Sequence, residues 1–497
     1  MKMHAVRSVS RLTLPAVYLV LSTAARLQAQ ERYHQNWESL RNHQVPDWFR
    51  DAKFGIFIHW GVYSVPGAFS SEWYPNKMYL QGSKEFNYHV QKYGPQDKFG
   101  YKDFIPMFKA GKFNAASWVA LFKKAGAKYV VPVAEHHDGF AMYKTSLSKW
   151  NAVDMGPHRD VIGELAAEVR RQGLIFGLSS HRIEHWFFFG GGRKFPSDVL
   201  DPQWEDFYGP ARDEKEPPSP EFMDNWLIRC GELAEKYQPQ LFWFDWWIEY
   251  PEMTPYRKAF AAYYYNKGLD WKKDVVLNYK DTAFPRDVAV LDVERGKLNE
   301  IQNIPWQTDD AIANNSWGYS RDATYKSPKY VINNLIDIVS KNGNLLLNIG
   351  PKPDGTITHE ETTVLLEMGK WLDINGEAIY GTRPWKIFGE GPTPSASGIM
   401  GDQKQAFTAM DIRFTTKGDV LYAIALGKPD ANLVIRSLGT KTEKPIAAIQ
   451  LMGSADKVSW KQQPDALVIG PLSSYPSDNA VVYKIQFRNQ TTHHPDH

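Results

Sequence analysis

The 497-residue chain has a single cysteine, Cys230. That excludes an intrachain disulfide and a zinc site built on paired thiolates, so stability must come from the size of the core. A dominant charge sign is missing as well: 58 Lys and Arg stand against 56 Asp and Glu, a formal net charge of +2. A groove that tracks nucleic-acid phosphates needs a basic excess, so no nucleic-acid partner is expected. The apolar stretch Leu12 to Ala25 falls short of the about 20 residues of a spanning helix. Gly190-Gly191-Gly192 lacks the Lys and Ser or Thr of a phosphate loop and the spacing of a dinucleotide fingerprint, and no Gly-x-Ser-x-Gly elbow is present. Nucleotide and serine-hydrolase chemistry lose support accordingly.

What is present is a globular composition, 43% hydrophobic and 23% charged, with 18 Trp, 25 Tyr and 26 Phe. The length is roughly three times that of an average domain of ~150 residues, enough for a large barrel and a smaller companion. Residues 1–29 carry Lys2, Arg7, Arg11 and Arg26 and no acidic residue, and the apolar run ends in small residues before Gln28-Ala29-Gln30. This pattern predicts a secretory signal peptide, hence export to a periplasm or the cell exterior with no membrane span after cleavage. Without those four cations the net charge of +2 becomes −2.

Beyond the leader, short β-branched or aromatic runs alternate with helical apolar stripes, which predicts parallel βα units. The expected strands are 53–59, 128–134, 174–179, 241–245, 275–278, 288–293 and 345–349. Helices are expected over 115–125 and 160–172, after Ser219-Pro220, and from a capping box at Thr358 and Glu361 to Asn375-Gly376. Cys230 falls on the apolar stripe of the third and is expected in the core. Gly190 to Pro220 reads as a long excursion at the rim of a cleft. After Gly389 to Gly401, rich in Gly, Pro and Ser, only short alternating runs follow. The expected fold is therefore α/β, a (β/α)8-like barrel over 30–388 followed by an all-β sandwich over 389–490.

Polar residues gather at the carboxyl ends of these strands, where parallel barrels carry their active sites. Asp245 ends the aromatic run Leu241 to Phe244, and a carboxylate among rings needs a reason. Glu294 follows another apolar run; Arg295 beside it would serve equally for a structural ion pair. Two carboxylates from different strand ends that converge on one cleft make the apparatus of glycoside hydrolysis. His136 and His137 have donor atoms for a metal, but neighbours on a strand point to opposite faces and thiolates are absent, so neither metal nor cofactor is expected. His59-Trp60, Glu72-Trp73, Trp243 and Trp317 instead pair hydrogen-bonding groups with aromatic faces, as a sugar requires.

The stretch Lys53 to Pro66 with Glu72-Trp73-Tyr74, the run Glu135-His136-His137-Asp138-Gly139-Phe140, Phe242-Trp243-Phe244-Asp245, Asn315 to Tyr319 and Asn342 to Pro351 together resemble the α-L-fucosidases of glycoside hydrolase family 29. The resemblance runs from about residue 37 to 385. It implies a retaining double displacement with Asp245 as nucleophile and Glu294 as acid/base, acting on a fucosylated oligosaccharide or glycoconjugate. It also implies a fucose pocket lined by His59, Glu72, Trp73, His136, His137, Trp243 and Trp317. Where some members carry a tyrosine this chain has His181, a further pocket residue, and Lys280 stands where some have an arginine. Glu300 competes with Glu294 for the acid/base position; the apolar run directly before Glu294 favours the latter. Two other readings stay open, a related barrel glycosidase for a sugar such as α-L-galactose and a catalytically inactive carbohydrate-binding protein.

Overall fold

The computed structural model describes residues 31–394, 398–399 and 406–488; the expected signal segment lies outside the described residues. Among these, no helix is long and apolar enough to cross a membrane. Eight parallel strands close a barrel in chain order. They are β1 (Phe54–Ile58), β2 (Tyr129–Glu135), β3 (Ile175–Ser180), β4 (Leu241–Phe244), β5 (Val276–Lys280), β6 (Val290–Asp292), β7 (Trp306–Ala311) and β8 (Gly343–Ile349). The last returns to the first, with Phe54 opposite Leu345. The four expected helices form at Ala115–Lys124, Val161–Arg171, Pro220–Tyr237 and His359–Asn375. Each starts from a side chain that accepts a first-turn N–H: Asn114, Asp160, Ser219 and Thr358. Cys230 is fully buried, as expected.

Strand residues alternate between two environments. Ile56, Val130, Phe242 and Leu277 face the surrounding helices, whereas Phe57, Val131, Trp243, Val276, Val290 and Leu346 make a separate cluster inside the barrel. Tyr129 fills the barrel floor because Gly55 lacks a side chain; a Cβ there would stand 2.4 Å from the ring. Higher up the interior turns polar. Trp243 Nε1 donates to Asp292 Oδ2 at 2.9 Å, Tyr129 donates to Gln307 Oε1 at 2.8 Å, and the Lys280 ammonium contacts Asp309 and lies 3.5 Å from Asp292. Burial alone would drive Lys280 toward its neutral form, but Asp309, Asp292, Glu294 and Asp245 outweigh it and keep it charged.

The sequence pattern predicts seven of the eight strands. The exception is β7, Trp306-Gln307-Thr308-Asp309-Asp310-Ala311, which is buried throughout yet has no apolar alternation. Asp310 meets Lys326 and lies 3.2 Å from Asn334 Nδ2. Those partners, with Gln307 and Asp309 in the interior network, take the place of apolar burial.

The C-terminal part has a five-stranded sheet and a three-stranded one. Arg383–Glu390, of which the sequence boundary left residues 383–388 in the barrel span, is the first strand of the five-stranded sheet, β9, and pairs antiparallel with β10 (Ile412–Lys417). The expected boundary at 389 falls inside this strand. The Gly- and Pro-rich stretch that suggested it begins where β9 ends and connects that strand to β10. The next strand, β11 (Val420–Ala425), serves two cores. Leu421, Ala423 and Ala425 pack within the sheets, while Tyr422 and Ile424 join the core of the barrel. Buried Asp337, on the helix Pro328–Ser340, ties the parts together by meeting Arg413 at 2.5 Å and Lys341 at 2.8 Å. Burial opposes ionisation there, but Lys341, Arg413 and Lys297 hold the carboxyl below its usual range.

Candidate active site

The inward parity of the strands, continued past their carboxyl ends, produces the site. On β4 the sequence Leu241, Trp243, Asp245 climbs from apolar interior to rim, and Val290, Asp292, Glu294 and Phe57, His59 do the same on β6 and β1. The polar ends meet in a cavity of about 290 Å³, at the small end of ligand pockets. Every site residue expected from the sequence lines it: Asp245, Glu294, His59, Glu72, Trp73, His136, His137, His181, Trp243 and Trp317. Glu300, the rival acid/base, is exposed on the following loop and is not among the cavity residues. Glu184, Trp246, Trp247, Asp309 and Ile399 also line the cavity and had no place in the sequence reading of the site.

Asp245 and Glu294 are the accessible carboxyls, with side chains 13% and 12% exposed. Asp245 Oδ2 accepts from His181 Nδ1 at 2.7 Å, and His137 Nε2 stands 3.7 Å away. Glu294 Oε2 accepts from Trp246 Nε1 at 2.5 Å and lies 3.7 Å from the Lys280 ammonium. Arg295 does not pair with Glu294. It turns to the carbonyls of Ala313, Asn314 and Ser316 and stacks 4.5 Å from the centre of the Trp317 ring.

The imidazoles are held neutral. Burial lowers His59 and His137 to about 3 and takes His136 and His181 well below the usual range. His59 Nδ1 donates to Asn348 Oδ1 at 2.7 Å, which leaves Nε2 as an acceptor toward the cavity. His136 Nδ1 has no hydrogen-bond partner among the described residues. The free acceptor of His59 suits the hydroxyl proton of a polyol. The groups His59, His136, His181 and His137, His181, Asp245 each bring their donor atoms within 4.8 Å, a spacing that would admit a metal. However, His181 already has partners at both nitrogens, Asp245 and Ser179.

Glu72 lines the cavity but its acceptors are taken. Oε2 receives Ser316 Oγ at 2.9 Å and the N–H groups of Trp317 and Gly318, both at 3.1 Å, and Oε1 contacts Ser70. Its direct effect is to fix the loop that presents Trp317, whose ring lies 5.3 Å from His59. A second cavity, of about 520 Å³, adjoins the first and shares Trp73 and Trp247 with it. Phe187, Gly190, Gly191 and Arg193 line it, so the excursion after β3 does form a rim.

Comparison with known proteins agrees with this geometry. The profile of the family described as alpha-L-fucosidase matches residues 20–377. Rat tissue alpha-L-fucosidase is 33% identical over 488 residues, covering 94% of this chain and 96% of its own length. The human tissue enzyme is 32% identical over 494 residues, covering 96% and 98%. Among solved structures, a Thermotoga maritima alpha-fucosidase in complex with fucose superposes with a TM-score of 0.73 at 33% identity, covering 91% of this chain and all of the other.

Proposed function

This chain belongs to the α-L-fucosidases of glycoside hydrolase family 29, and from that premise we propose that it removes terminal α-L-fucose from fucosylated oligosaccharides or glycoconjugates with retention of configuration. The observation that carries the mechanism is the presence of two accessible carboxyls, Asp245 and Glu294, in one small cavity at the mouth of the barrel. Asp245, oriented by His181, attacks the anomeric carbon while Glu294 gives its proton to the departing glycosidic oxygen. The bond to the leaving group breaks as the bond to Asp245 forms. Water then attacks the same carbon, its proton passes to Glu294, and the ester to Asp245 is released. Trp73, Trp243 and Trp317 offer faces to the less polar side of the sugar, and the adjoining cavity receives the rest of the glycan.

The test is to trap the covalent intermediate with a 2-fluoro-fucosyl fluoride and locate the label by mass. Attachment to Asp245, within the peptide that contains Trp243 to Trp247, is expected, and attachment elsewhere would defeat the mechanism. The same enzyme is expected to prefer an aryl α-L-fucoside over the α-L-galactoside by roughly 10- to 200-fold, since a single hydroxyl at the methyl position separates them. A preference for the galactoside would reassign the substrate. We propose likewise that residues 1–29 direct export and are removed. N-terminal sequencing of the protein from the exported fraction should then begin near Gln30, and a retained Met1 would overturn this.

A further inference from the structure

Besides the two assigned carboxyls, Glu72, Asp309 and Glu184 line the cavity; Glu72 and Asp309 have partners of their own, and the mechanism above does not use Glu184. Glu184 follows β3 in a short helical turn, Arg182–Glu184. It is 0% exposed yet lines the cavity, and neither of its carboxyl oxygens has a hydrogen-bond partner among the described residues. Such a group is costly to leave unmatched.

His137 Nε2 lies 3.2 Å from Glu184 Oε2. The tautomer of His137 follows from its other nitrogen. Nδ1 lies 3.2 Å from the backbone oxygen of His181, and a carbonyl only accepts, so the proton is on Nδ1 and Nε2 carries a bare lone pair. That nitrogen lies 3.2 Å from Glu184 Oε2 and 3.7 Å from Asp245 Oδ2. Three acceptors converge without a hydrogen between them unless Glu184 supplies one. Burial, reinforced by Asp245, Glu294, Glu249 and Glu214, pushes Glu184 toward its neutral form. With its proton on Oε2 directed at His137, Oε1 is left as an acceptor.

We propose that Glu184 is a substrate-binding residue that accepts a hydrogen bond from the 2-hydroxyl of the fucosyl unit while donating its own proton to His137 Nε2. The inference rests on Asp245 as the nucleophile. His137 Nε2 lies 3.2 Å from Glu184 and 3.7 Å from Asp245, which puts Glu184 near the nucleophile, and the hydroxyl next to the carbon that Asp245 attacks is the one on C2. As positive charge grows at the anomeric carbon that hydroxyl becomes more acidic, so a bond accepted from it strengthens in the transition state. A neutral acid provides this contact without placing a second anion beside the nucleophile.

The experiment measures kcat and KM of the full-length enzyme on an aryl α-L-fucoside and its 2-deoxy analogue, for wild type, Glu184→Gln, Glu184→Leu and Glu184→Ala. A glutamine amide donates to His137 and accepts from the sugar as the neutral acid does, so Glu184→Gln should stay within ~3-fold of wild type on both substrates. Glu184→Leu or Glu184→Ala, whichever keeps the wild-type thermal midpoint, should lose ~100-fold on the fucoside, mainly in kcat, and ~5-fold or less on the 2-deoxy substrate. The different spontaneous reactivity of the two substrates cancels in this ratio. Equal losses on both substrates, or a Glu184→Gln variant as weak as the apolar ones, would overturn the assignment. Wild-type enzyme without turnover on the fucoside would overturn both this inference and the reading it rests on.

Discussion

Replacing Asp245 by glycine is expected to lower turnover of an aryl α-L-fucoside by about 10⁴-fold, and added azide is expected to restore a measurable part of it. The reason lies in what surrounds the carboxylate. Asp245 Oδ2 sits against His181 Nδ1 at 2.7 Å and His137 Nε2 at 3.7 Å, on the cavity side of a strand end whose neighbour Trp243 is buried. Glycine removes the nucleophile and leaves a space of its size beside an N–H donor. A small anion placed there reaches the anomeric carbon from the same face as the lost carboxylate. Because only one displacement then occurs, the product is the β-fucosyl azide, of inverted configuration. Rate measurements with and without azide, and the anomeric coupling in the proton spectrum of the product, check both parts. Turnover at the wild-type rate, or rescue that yields the α-azide, would remove Asp245 from its role.

The legibility of this site in the sequence has a physical basis. Polar residues two positions beyond an inward apolar residue continue the same face, so Trp243 followed by Asp245, or Phe57 followed by His59, marks the rim of a barrel by residue order alone. Glu184 breaks that pattern because it belongs to the helical turn beyond β3, where no strand parity applies. Lying just after His181 in the chain, it continues no strand pattern, and its burial sets it apart. Strand β7 escaped for a related reason. Gln307, Asp309 and Asp310 are buried by virtue of partners on other elements, Asp292, Lys280 and Lys326, and a local window holds only one half of each pair. Glu72 shows the converse. Its motif puts it among the cavity residues, but only the backbone N–H groups of Trp317 and Gly318 reveal that its carboxylate shapes the loop that carries the ring.

Alanine at Glu294 should give a loss that depends on the leaving group, and that dependence is the signature of a missing acid. A natural fucosyl oligosaccharide or a phenyl fucoside departs as a basic oxygen that needs a proton, so kcat/KM is expected to fall by ~10³-fold. A dinitrophenyl fucoside departs as a stable anion and should lose no more than ~10-fold in the same variant, because its first bond cleavage asks nothing of Glu294. The covalent intermediate on Asp245 then waits for a water with no base to activate it. Azide, which needs no deprotonation, should shorten that wait and give the α-fucosyl azide, of retained configuration, opposite to the product expected from the Asp245 variant. The position of Glu294 supports this division of labour. Its Oε2 is held by Trp246 Nε1 at 2.5 Å and faces the same cavity as Asp245, whereas Glu300 is exposed. Alanine at Glu300 is accordingly expected to stay within ~2-fold of wild type on all three substrates. A plot of log(kcat/KM) against leaving-group pKa for both variants decides the matter. A flat line for Glu294→Ala, or a steep one for Glu300→Ala, would move the acid/base to the loop.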